Sequence, residues 1–306
     1  MPIHVAAHSR RHFLKSVSAM GIGATTVLHS RVGLAAESID NNFVALLSDT
    51  HIANDPSLMV RGINMSDNLN SIISQIGKLT QRPANLFING DCAYLKGLPG
   101  DYANLAKRLV PLESLGIDLH VTMGNHDDRP KLYEALTKQR PTASAVLSKH
   151  ISVVEGEFAN WFLLDSLSQV NVVTGELGNE QLKWLGEALD AREDKPAVIL
   201  VHHNPQFDAP KSGQPWGGIS DTAPLFELLD SRSHVRAFIF GHTHTWVVKD
   251  RKHMKLINLP PVAYVFAEGQ PNGWVSAKLT KSGMRLQLHT LDLKHPKANE
   301  VAEVTW

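Results

Sequence analysis

Five short apolar runs, separated by longer amphipathic segments, constrain the fold of this chain more than any other feature. Their length and their β-branched residues are typical of buried strands. The runs are residues 43–48, 85–89, 118–123, 197–201 and 237–240. Between them, leucine and isoleucine recur at helical spacing, at Leu69, Ile72, Ile73, Ile76 and Leu79 and again at Leu182, Leu185 and Leu189. Strands that alternate with helices predict an α/β sheet with both faces covered.

The pattern changes after His244. Short runs separated by turn residues follow, and Lys281, Ser282 and Gly283 have the composition of a hairpin turn. This pattern predicts antiparallel strands in the last third of the chain. No internal repeat, low-complexity tract or charge block marks a linker. We therefore expect a single domain with two sheets over residues 37–306.

The composition limits the kinds of partner. The chain has 306 residues, of which 43% are hydrophobic, enough to bury a core. Lys and Arg together number 30, as do Asp and Glu, so bulk charge favours neither a nucleic-acid polymer nor a membrane surface. Cys92 is the only cysteine and cannot form an internal disulfide. These features favour a small-molecule ligand, and the 16 histidines are the one unusual count.

The amino terminus predicts export. Residues 9–15 contain paired arginines followed after one residue by Phe13 and Leu14, and they resemble a twin-arginine signal. The apolar stretch that follows is shorter than the ~20 residues of a membrane span, so we expect cleavage near Ala36 rather than a stable anchor. A cytosolic amphipathic helix is the alternative. The resemblance implies a signal peptide over residues 1–36, the twin-arginine translocase as a partner during export, and a periplasmic or otherwise exported protein.

Polar side chains with the chemistry of metal ligands follow every one of these five predicted strands. The clusters are SDTH at residues 48–51, NGDCAY at 89–94, MGNHDD at 123–128, VHHNP at 201–205 and GHTH at 241–244. Ligands of open α/β sheets bind outside the carboxyl ends of the strands, so the clusters are expected to converge on one crevice. A single buried histidine is more often a hydrogen-bonded core residue, and Gly-Asp is often only a turn. Five such clusters at five strand ends make that explanation weak.

These residue types favour transition metals. Asp49 and Asp91, an amide oxygen and several imidazoles form a mixed set that suits Zn²⁺, Fe, Mn²⁺ or Co²⁺ and is poor for Ca²⁺. The set is larger than one ion needs. Two divalent ions with two aspartates and a bridging hydroxide would carry a net charge of about +1, which attracts and stabilises phosphate oxygens.

The ordered series D-x-H, G-D, G-N-H-D, H and G-H-x-H resembles the motifs of the calcineurin-like metallophosphoesterase superfamily, from Phe43 to His244. It is most similar to the branch of cyclic-nucleotide phosphodiesterases and glycerophosphodiesterases, through SDTH, GNHDD, LLDS at residues 163–166 and DKPAVILVHHNP. The resemblance implies an α/β fold, a four-layer α-β-β-α sandwich of two mainly mixed β-sheets flanked by helices.

The same resemblance implies a dinuclear metal site. One ion would be held by Asp49, His51, Asp91 and His244, and the other by Asp91, Asn125, His202 and His242. His202 follows its strand directly and aligns with an HHPP form of the motif, whereas His203 is the alternative because HNP also resembles a shorter variant. His126 occupies the position of a histidine beside the phosphate and the leaving group. Asp127 is a candidate to orient that imidazole, or to act as a negative charge at a helix N-terminus.

Two details of the motifs distinguish this chain from other branches of the superfamily. Tyr94 lies three residues after Asp91, and GDxxY resembles the purple acid phosphatases, in which that tyrosine binds Fe³⁺. Those enzymes generally lack the histidine of D-x-H, which is present here as His51, so we expect Tyr94 near the ligands or the substrate rather than among the ligands. The chain lacks the GDxVDRG form of the serine/threonine protein phosphatases, which disfavours protein substrates.

We therefore expect a metal-dependent phosphoric ester hydrolase that acts on a small-molecule phosphoester. The resemblance favours a diester, such as a cyclic nucleotide or a glycerophosphodiester, cleaved by a hydroxide that bridges two metal ions. A phosphomonoesterase or nucleotidase is one alternative, and a non-catalytic scaffold of the same fold is another. Arg61, Lys211 and Trp216, in the loops over residues 53–65 and 204–221, are candidates to contact an anion, a base or a sugar.

Overall fold

Two six-stranded mixed β-sheets form the centre of the computed structural model, which describes residues 38–142 and 145–306. The predicted signal peptide lies outside the described residues. The strands are β1 (Ser38–Leu47), β2 (Met59–Val60), β3 (Ile63–Asn64), β4 (Gln81–Asn89), β5 (Asp118–Thr122), β6 (Ser152–Glu155), β7 (Asn160–Leu163), β8 (Ala197–Leu200), β9 (Val235–Phe240), β10 (Val247–Arg251), β11 (Met254–Asn258), β12 (Gly273–Thr280), β13 (Gly283–Thr290) and β14 (Val301–Thr305). The helices are α1 (Met65–Gly77), α2 (Pro99–Leu115), α3 (Arg129–Ala135), α4 (Asn179–Asp190) and α5 (Thr222–Asp230). No helix in this part of the chain is long and apolar enough to cross a membrane.

The first sheet has the strand order β14-β13-β12-β1-β4-β5, and the second has the order β10-β11-β9-β8-β7-β6. β1, β4 and β5 run parallel, as do β7, β8, β9 and β11, and the other strands of the two sheets pair antiparallel. The five apolar runs correspond to β1, β4, β5, β8 and β9, which confirms those predictions. The predicted hairpin turn joins β12 to β13, where Thr280 pairs with Gly283.

The last third of the chain is only partly antiparallel. β12, β13 and β14 pair antiparallel, as predicted. β11 instead lies parallel to β9, with Lys255 opposite Ala237. The carboxyl end of β11 therefore reaches the same rim of the second sheet as the carboxyl end of β9.

Apolar cores separate the four layers. Alternate residues of β1 face opposite sides of the sheet: Val44 and Leu46 pack between the two sheets, while Ala45 and Leu47 pack toward α1 and α2. Leucines of α4 and α5 cover the outer face of the second sheet. The order helix, sheet, sheet, helix confirms the four-layer α-β-β-α sandwich.

The α1 helix shows how local sequence sets this packing. Its apolar side chains recur three and four residues apart and are buried against the first sheet. Each fully buried side chain of this size contributes about 1.5–3 kcal/mol. The side chain of Asn64 caps the helix by accepting a hydrogen bond from the amide of Asp67 (3.0 Å).

Asn89, at the carboxyl end of β4, connects the two sheets. Its side-chain amide donates to the carbonyl of Val201 (2.9 Å), which follows β8 in the second sheet. Its side-chain oxygen accepts from the hydroxyl of Thr122 (2.8 Å), the last residue of β5. Asn89 is completely buried, so these bonds fix the relative position of three strand ends. The polar clusters predicted to converge lie at this rim.

Candidate metal centre

Asp49 and Asp91 lie buried where the two sheets meet. Asp49 follows β1 and Asp91 follows β4, and backbone hydrogen bonds connect the two loops that carry them. The amide of His51 donates to the carbonyl of Asp91 (2.9 Å), and the amide of Asp49 donates to the carbonyl of Gly90 (3.2 Å). The hydroxyl of Ser48 donates to Oδ2 of Asp49 (2.5 Å). These contacts hold the two carboxylates in place within the fold.

Imidazole nitrogens converge on these carboxylates. Nε2 of His244 lies 3.3 Å from Oδ1 of Asp49, and Nε2 of His202 lies 3.3 Å from Oδ2 of Asp91. Nε2 of His51 lies 3.7 Å from the same Asp91 oxygen and 3.0 Å from Nε2 of His244. Ligand atoms of Asp49, His51 and His244 all lie within 4.8 Å of one another, as do those of Asp49, Asp91 and His202. Asp91 thus reaches both halves of the cluster, as the predicted bridging ligand would.

Four of the histidines have one ring nitrogen bonded to a backbone carbonyl. The pairs are His126 with Leu95 (2.6 Å), His202 with Asn89 (2.9 Å), His242 with Gly217 (3.2 Å) and His244 with Tyr264 (2.5 Å). A carbonyl only accepts hydrogen bonds, so the bonded nitrogen must carry the proton. In a neutral imidazole the other nitrogen then has a free lone pair. This arrangement is typical of metal-binding histidines, whose second nitrogen is usually held in this way.

Buried ligand atoms in the cluster lack protein partners. Among the described residues, the unpaired buried atoms include Nδ1 of His51, Oδ1 of Asn125 and Nε2 of His203. An unsatisfied buried polar atom costs about 1–3 kcal/mol. A cation coordinated by these lone pairs would remove that cost, and the mixture of carboxylate, amide and imidazole fits divalent transition metals. The residues present therefore fit the metal ions that the motifs imply.

The electrostatics favour the protonation states that metal ligands need. Burial opposes the charge of Asp49, but the imidazoles of His244 and His202 outweigh it and lower the pKa of that carboxyl to about 2. The pKa of Asp91 is also well below its usual value, because His202 and His51 outweigh the effect of burial. Burial lowers the pKa of His51 to about 3 and, with the neighbouring His202, that of His242 to about 4. Two carboxylates and two neutral imidazoles therefore face one another at neutral pH.

His202 has the opposite shift. Burial lowers its pKa, but the carboxylates of Asp91 and Asp49 outweigh burial and raise it to about 9. Its protonated ring compensates the two buried negative charges in the protein alone. A metal ion bound at Nε2 would take the place of that proton, because ligating nitrogen must be unprotonated.

The backbone is strained at the same residues. The φ angles are positive at Asp49 (54°), His51 (45°), Asp91 (46°), His242 (66°) and His244 (54°). A non-glycine residue in this region costs on the order of 1–3 kcal/mol and is found mainly at functional sites. The chain also approaches itself closely, since a Cβ atom on Gly241 would lie 2.0 Å from Oγ of Ser48. The fold therefore maintains a costly geometry at the candidate ligands.

The second half of the cluster contains both histidines of VHHNP. Ligand atoms of His202, His203 and His242 lie within 4.8 Å of one another. Only His202 is also grouped with Asp49 and Asp91, which favours it as the ligand that lies beside the shared carboxylate. His203 is held from behind by the hydroxyl of Ser166 (2.7 Å from Nδ1), and its ring centre lies 4.7 Å from that of His242.

Asp127 has a different role from the one its position suggested. Its buried carboxylate accepts hydrogen bonds from the amides of Cys92 (3.2 Å), Ala93 (3.2 Å) and Gly124 (2.9 Å) and from the hydroxyl of Tyr102 (3.2 Å). The ring of His126 is oriented by the carbonyl of Leu95 instead. The residue that caps α3 is Asp128, whose side chain accepts from the amide of Lys131. Asp127 therefore joins the loop after β4 to the loop after β5 and positions the residues on both.

The substrate-contact candidates in the surrounding loops differ in how near they lie to the metal ligands. The guanidinium of Arg61 lies over the ring of Phe266, which stacks on His244. Trp216 is half-buried and precedes Gly217, whose carbonyl holds His242, whereas Lys211 is exposed. Tyr94 is half-buried against the core beneath the first sheet.

The sequence interpretation missed the loop after β11, which contributes Tyr264 and Phe266 to the wall of the site. The ring of Tyr264 stacks on that of His51 (centres 5.4 Å apart), and its carbonyl holds His244. The direction of β11 determines where this loop lies. Because β11 runs parallel to β9, its carboxyl end reaches the rim where the GHTH cluster follows β9. Ser166, at the end of β7, was missed as a support of His203.

His242 and His244 are expected to serve different ions. His244→Ala would deplete the ion near Asp49 and His51, while His242→Ala would deplete the one near Asn125 and His202. Loss of a residue that only hydrogen-bonds a metal ligand typically weakens metal affinity roughly 10- to 100-fold, and each of these changes is expected to weaken it at least as much. Metal content measured after dialysis tests this, with His289→Ala as a control histidine on β13.

Double variants separate the two sites. His51→Ala combined with His244→Ala is expected to leave about one ion per chain, whereas His51→Ala combined with His242→Ala is expected to leave almost none, as two independent sites require. Equal metal content in the two double variants would contradict the assignment.

Comparison with known proteins agrees with this geometry. The sequence profile of the family described as calcineurin-like phosphoesterase matches residues 44–246. The chain is 28% identical over 220 residues to a cAMP/cGMP dual specificity phosphodiesterase of Mycobacterium tuberculosis, a match that covers 69% of this chain and 64% of that relative. It is 26% identical over 228 residues to a 3′,5′-cyclic adenosine monophosphate phosphodiesterase of Pseudomonas aeruginosa, which covers 73% and 77%.

The fold is also found among solved structures. The crystal structure of a dimetal phosphatase from Danio rerio superposes with a TM-score of 0.66 at 16% identity, over 86% of this chain and 98% of that one. The region matched by the family profile contains all the candidate ligands, from Asp49 to His244. Their presence argues against the non-catalytic alternative. The chain belongs to the calcineurin-like phosphoesterase family and is a hydrolase that acts on phosphoesters.

Proposed function

We propose that this protein is a phosphodiesterase with two metal ions, and that its substrate is a cyclic nucleotide or a related small phosphodiester. The observation that carries the proposal is the buried cluster around Asp91, in which the ring nitrogens of several histidines lie within 4 Å of the carboxylates. The substrate class is supported by the two relatives described above, both of which are cyclic-nucleotide phosphodiesterases.

The cluster has ligands for two ions of the Fe, Mn, Zn or Co type. Asp49, His51 and His244 would hold one, Asn125, His202 and His242 the other, and Asp91 both. The chemistry that such ions supply when bound is positive charge for the phosphate oxygens and a water whose pKa is low enough to give a nucleophile at neutral pH.

The chain itself supplies an acid at the leaving group. Nδ1 of His126 donates to the carbonyl of Leu95, so the ring is fixed with Nε2 directed toward Asp91, whose Oδ2 is 4.0 Å away. The side chain is 20% exposed, so a substrate can reach this nitrogen. Transfer of a second ring proton, at Nε2, to the departing alkoxide oxygen would leave the neutral ring with its Nδ1 proton still on the carbonyl of Leu95. Asp127 positions the loop of His126 and Asn125 through its bond to the amide of Gly124.

A paired substrate panel tests the proposal. The metal-loaded protein would be assayed with cAMP, glycerophosphocholine and AMP, and with bis(p-nitrophenyl) phosphate against p-nitrophenyl phosphate. We expect higher kcat/KM for the diester in each comparison and highest for the cyclic nucleotide. Asp49→Asn serves as the inactive control. A consistent preference for the monoesters would overturn the proposal and identify a nucleotidase.

A further inference from the structure

A solvent-exposed aromatic ring lies directly on a candidate metal ligand. Phe266 is 53% exposed, yet its ring stacks on that of His244, with centres 4.1 Å apart and planes 17° apart. The Nε2 atom of His244 lies 3.3 Å from Asp49. Phe266 is therefore part of the wall of the metal site. An aromatic ring offers a flat apolar face on which another ring can stack.

The loop that carries Phe266 is fixed to the ligand loops. The amide of Val262 donates to the carbonyl of Ser48 (2.8 Å), and the amide of Ala263 donates to the carbonyl of Asp49 (3.1 Å). The carbonyl of Tyr264 accepts from His244. An exposed ring held in this way is ordered before substrate binds, which reduces the entropy lost on binding.

Arg61 reaches the same ring from another part of the chain. It stands with Gly62 at the tip of the β2–β3 hairpin, where both residues have positive φ (51° and 78°), as a tight two-residue hairpin turn requires. Its guanidinium carbon lies 5.3 Å from the ring centre of Phe266. The side chain is exposed. A planar cation and an aromatic ring are thus presented together at the wall of the cleft.

We infer that Phe266 and Arg61 form a subsite for the nucleobase, which selects nucleotide substrates over phosphodiesters that lack a base. A phosphate would use the charge of Arg61, and a glycerol group would use only its N–H donors, but neither gains much from an aromatic ring. A nucleobase uses both, because it stacks on aromatic and guanidinium planes and has acceptors for the guanidinium N–H groups. The inference rests on the proposed function only in that the substrate is bound by its phosphate at the metal site.

Phe207 provides a matched control. It is 54% exposed, and the guanidinium of Arg251 lies 5.0 Å from its ring centre, so its local surroundings resemble those of Phe266. Its ring packs on Phe226 of α5 instead of on a candidate ligand. Phe207→Ala therefore removes an equivalent exposed ring elsewhere on the molecule.

The experiment compares cAMP with 1-O-methylribose 3,5-cyclic phosphate, which has the same cyclic diester but no base. Phe266→Ala is expected to lower kcat/KM for cAMP about 10-fold, within the range that loss of a base–aromatic stack produces, and to lower kcat/KM for the base-free substrate much less. Phe266→Trp would preserve the preference, and Arg61→Gln would reduce it. Phe207→Ala would change neither substrate. Metal content is measured for each variant and is expected to equal that of the wild type.

Equal losses on both substrates, or loss of metal, would show that Phe266 only supports His244 and would overturn the inference. No change on either substrate would also overturn it. If the protein cleaved monoesters and neither cyclic diester, the proposed function would fail separately. The same variants would then be compared on AMP and ribose 5-phosphate, and the subsite would be judged by the same base-specific loss.

Discussion

Asp91→Asn is expected to remove nearly all phosphoesterase activity, lowering kcat/KM by roughly 10³-fold or more. Asp91 is the carboxylate that reaches both groups of histidines, with Oδ2 at 3.3 Å from Nε2 of His202 and 3.7 Å from Nε2 of His51. Asparagine has almost the same shape but no charge. One substitution would thus weaken both metal sites.

The geometry around Asp91 allows the fold to survive this change. Its Oδ1 accepts from the amide of His126 (2.9 Å), a bond that the side-chain oxygen of asparagine can keep. Circular dichroism and the thermal midpoint in the presence of a chelator would therefore remain close to those of wild type. Asp49→Asn is the matched comparison, since it is expected to deplete mainly one ion. Two tightly bound ions in the Asp91→Asn protein would contradict the bridging assignment.

The positions of the candidate ligands were predictable because each depends on local sequence. An apolar run long enough for one buried strand ends one or two residues before Asp49, Asp91 and His202, and parallel strands place their carboxyl ends at one rim. For the clusters to meet, the two sheets then only had to pack together with these strand ends at the same rim. A regular alternation of strands and helices therefore predicts which strand ends carry the site, without knowledge of the contacts between its side chains.

The wall of the site depends on pairing between distant segments, which local sequence does not specify. β11 follows β10 through a tight turn and pairs with it antiparallel, yet it also pairs in parallel with β9. The parallel pairing with β9 brings Phe266 to His244. A sequence pattern typical of antiparallel hairpins does not predict that pairing. The strained φ angles of Asp49 and His51 are equally hidden, because non-glycine residues rarely adopt them.

Adjacency along the chain misled the interpretation of Asp127. Because it follows His126, it was a candidate to orient that ring or to act as a negative charge at a helix N-terminus, but consecutive side chains in a tight loop point in different directions. The carboxylate of Asp127 is buried among the amides of Cys92, Ala93 and Gly124, and the carbonyl of Leu95 holds the histidine. A buried acceptor of several N–H bonds is a structural anchor. Its contribution to activity would therefore be through the position of the loop.

His126→Ala is expected to lower kcat for cAMP by roughly 10²- to 10³-fold, the usual contribution of a positioned general acid. The leaving group of cAMP is an alkoxide of ribose, which needs a proton to depart. p-Nitrophenolate is stable without one, so the same variant is expected to cleave bis(p-nitrophenyl) phosphate with a much smaller loss. Steady-state kinetics on the two substrates measures the difference directly.

The comparison between leaving groups separates proton donation from simple binding of the phosphate. A histidine that only neutralises charge on the phosphate would contribute to both substrates equally, and equal losses would contradict the assigned role. His126→Gln is the matched variant, because its amide nitrogen can reach the position of Nε2 and hydrogen-bond the departing oxygen but cannot transfer a proton to it. We expect it to restore binding but not turnover of cAMP, since the carbonyl of Leu95 fixes the histidine ring so that Nε2 faces the site.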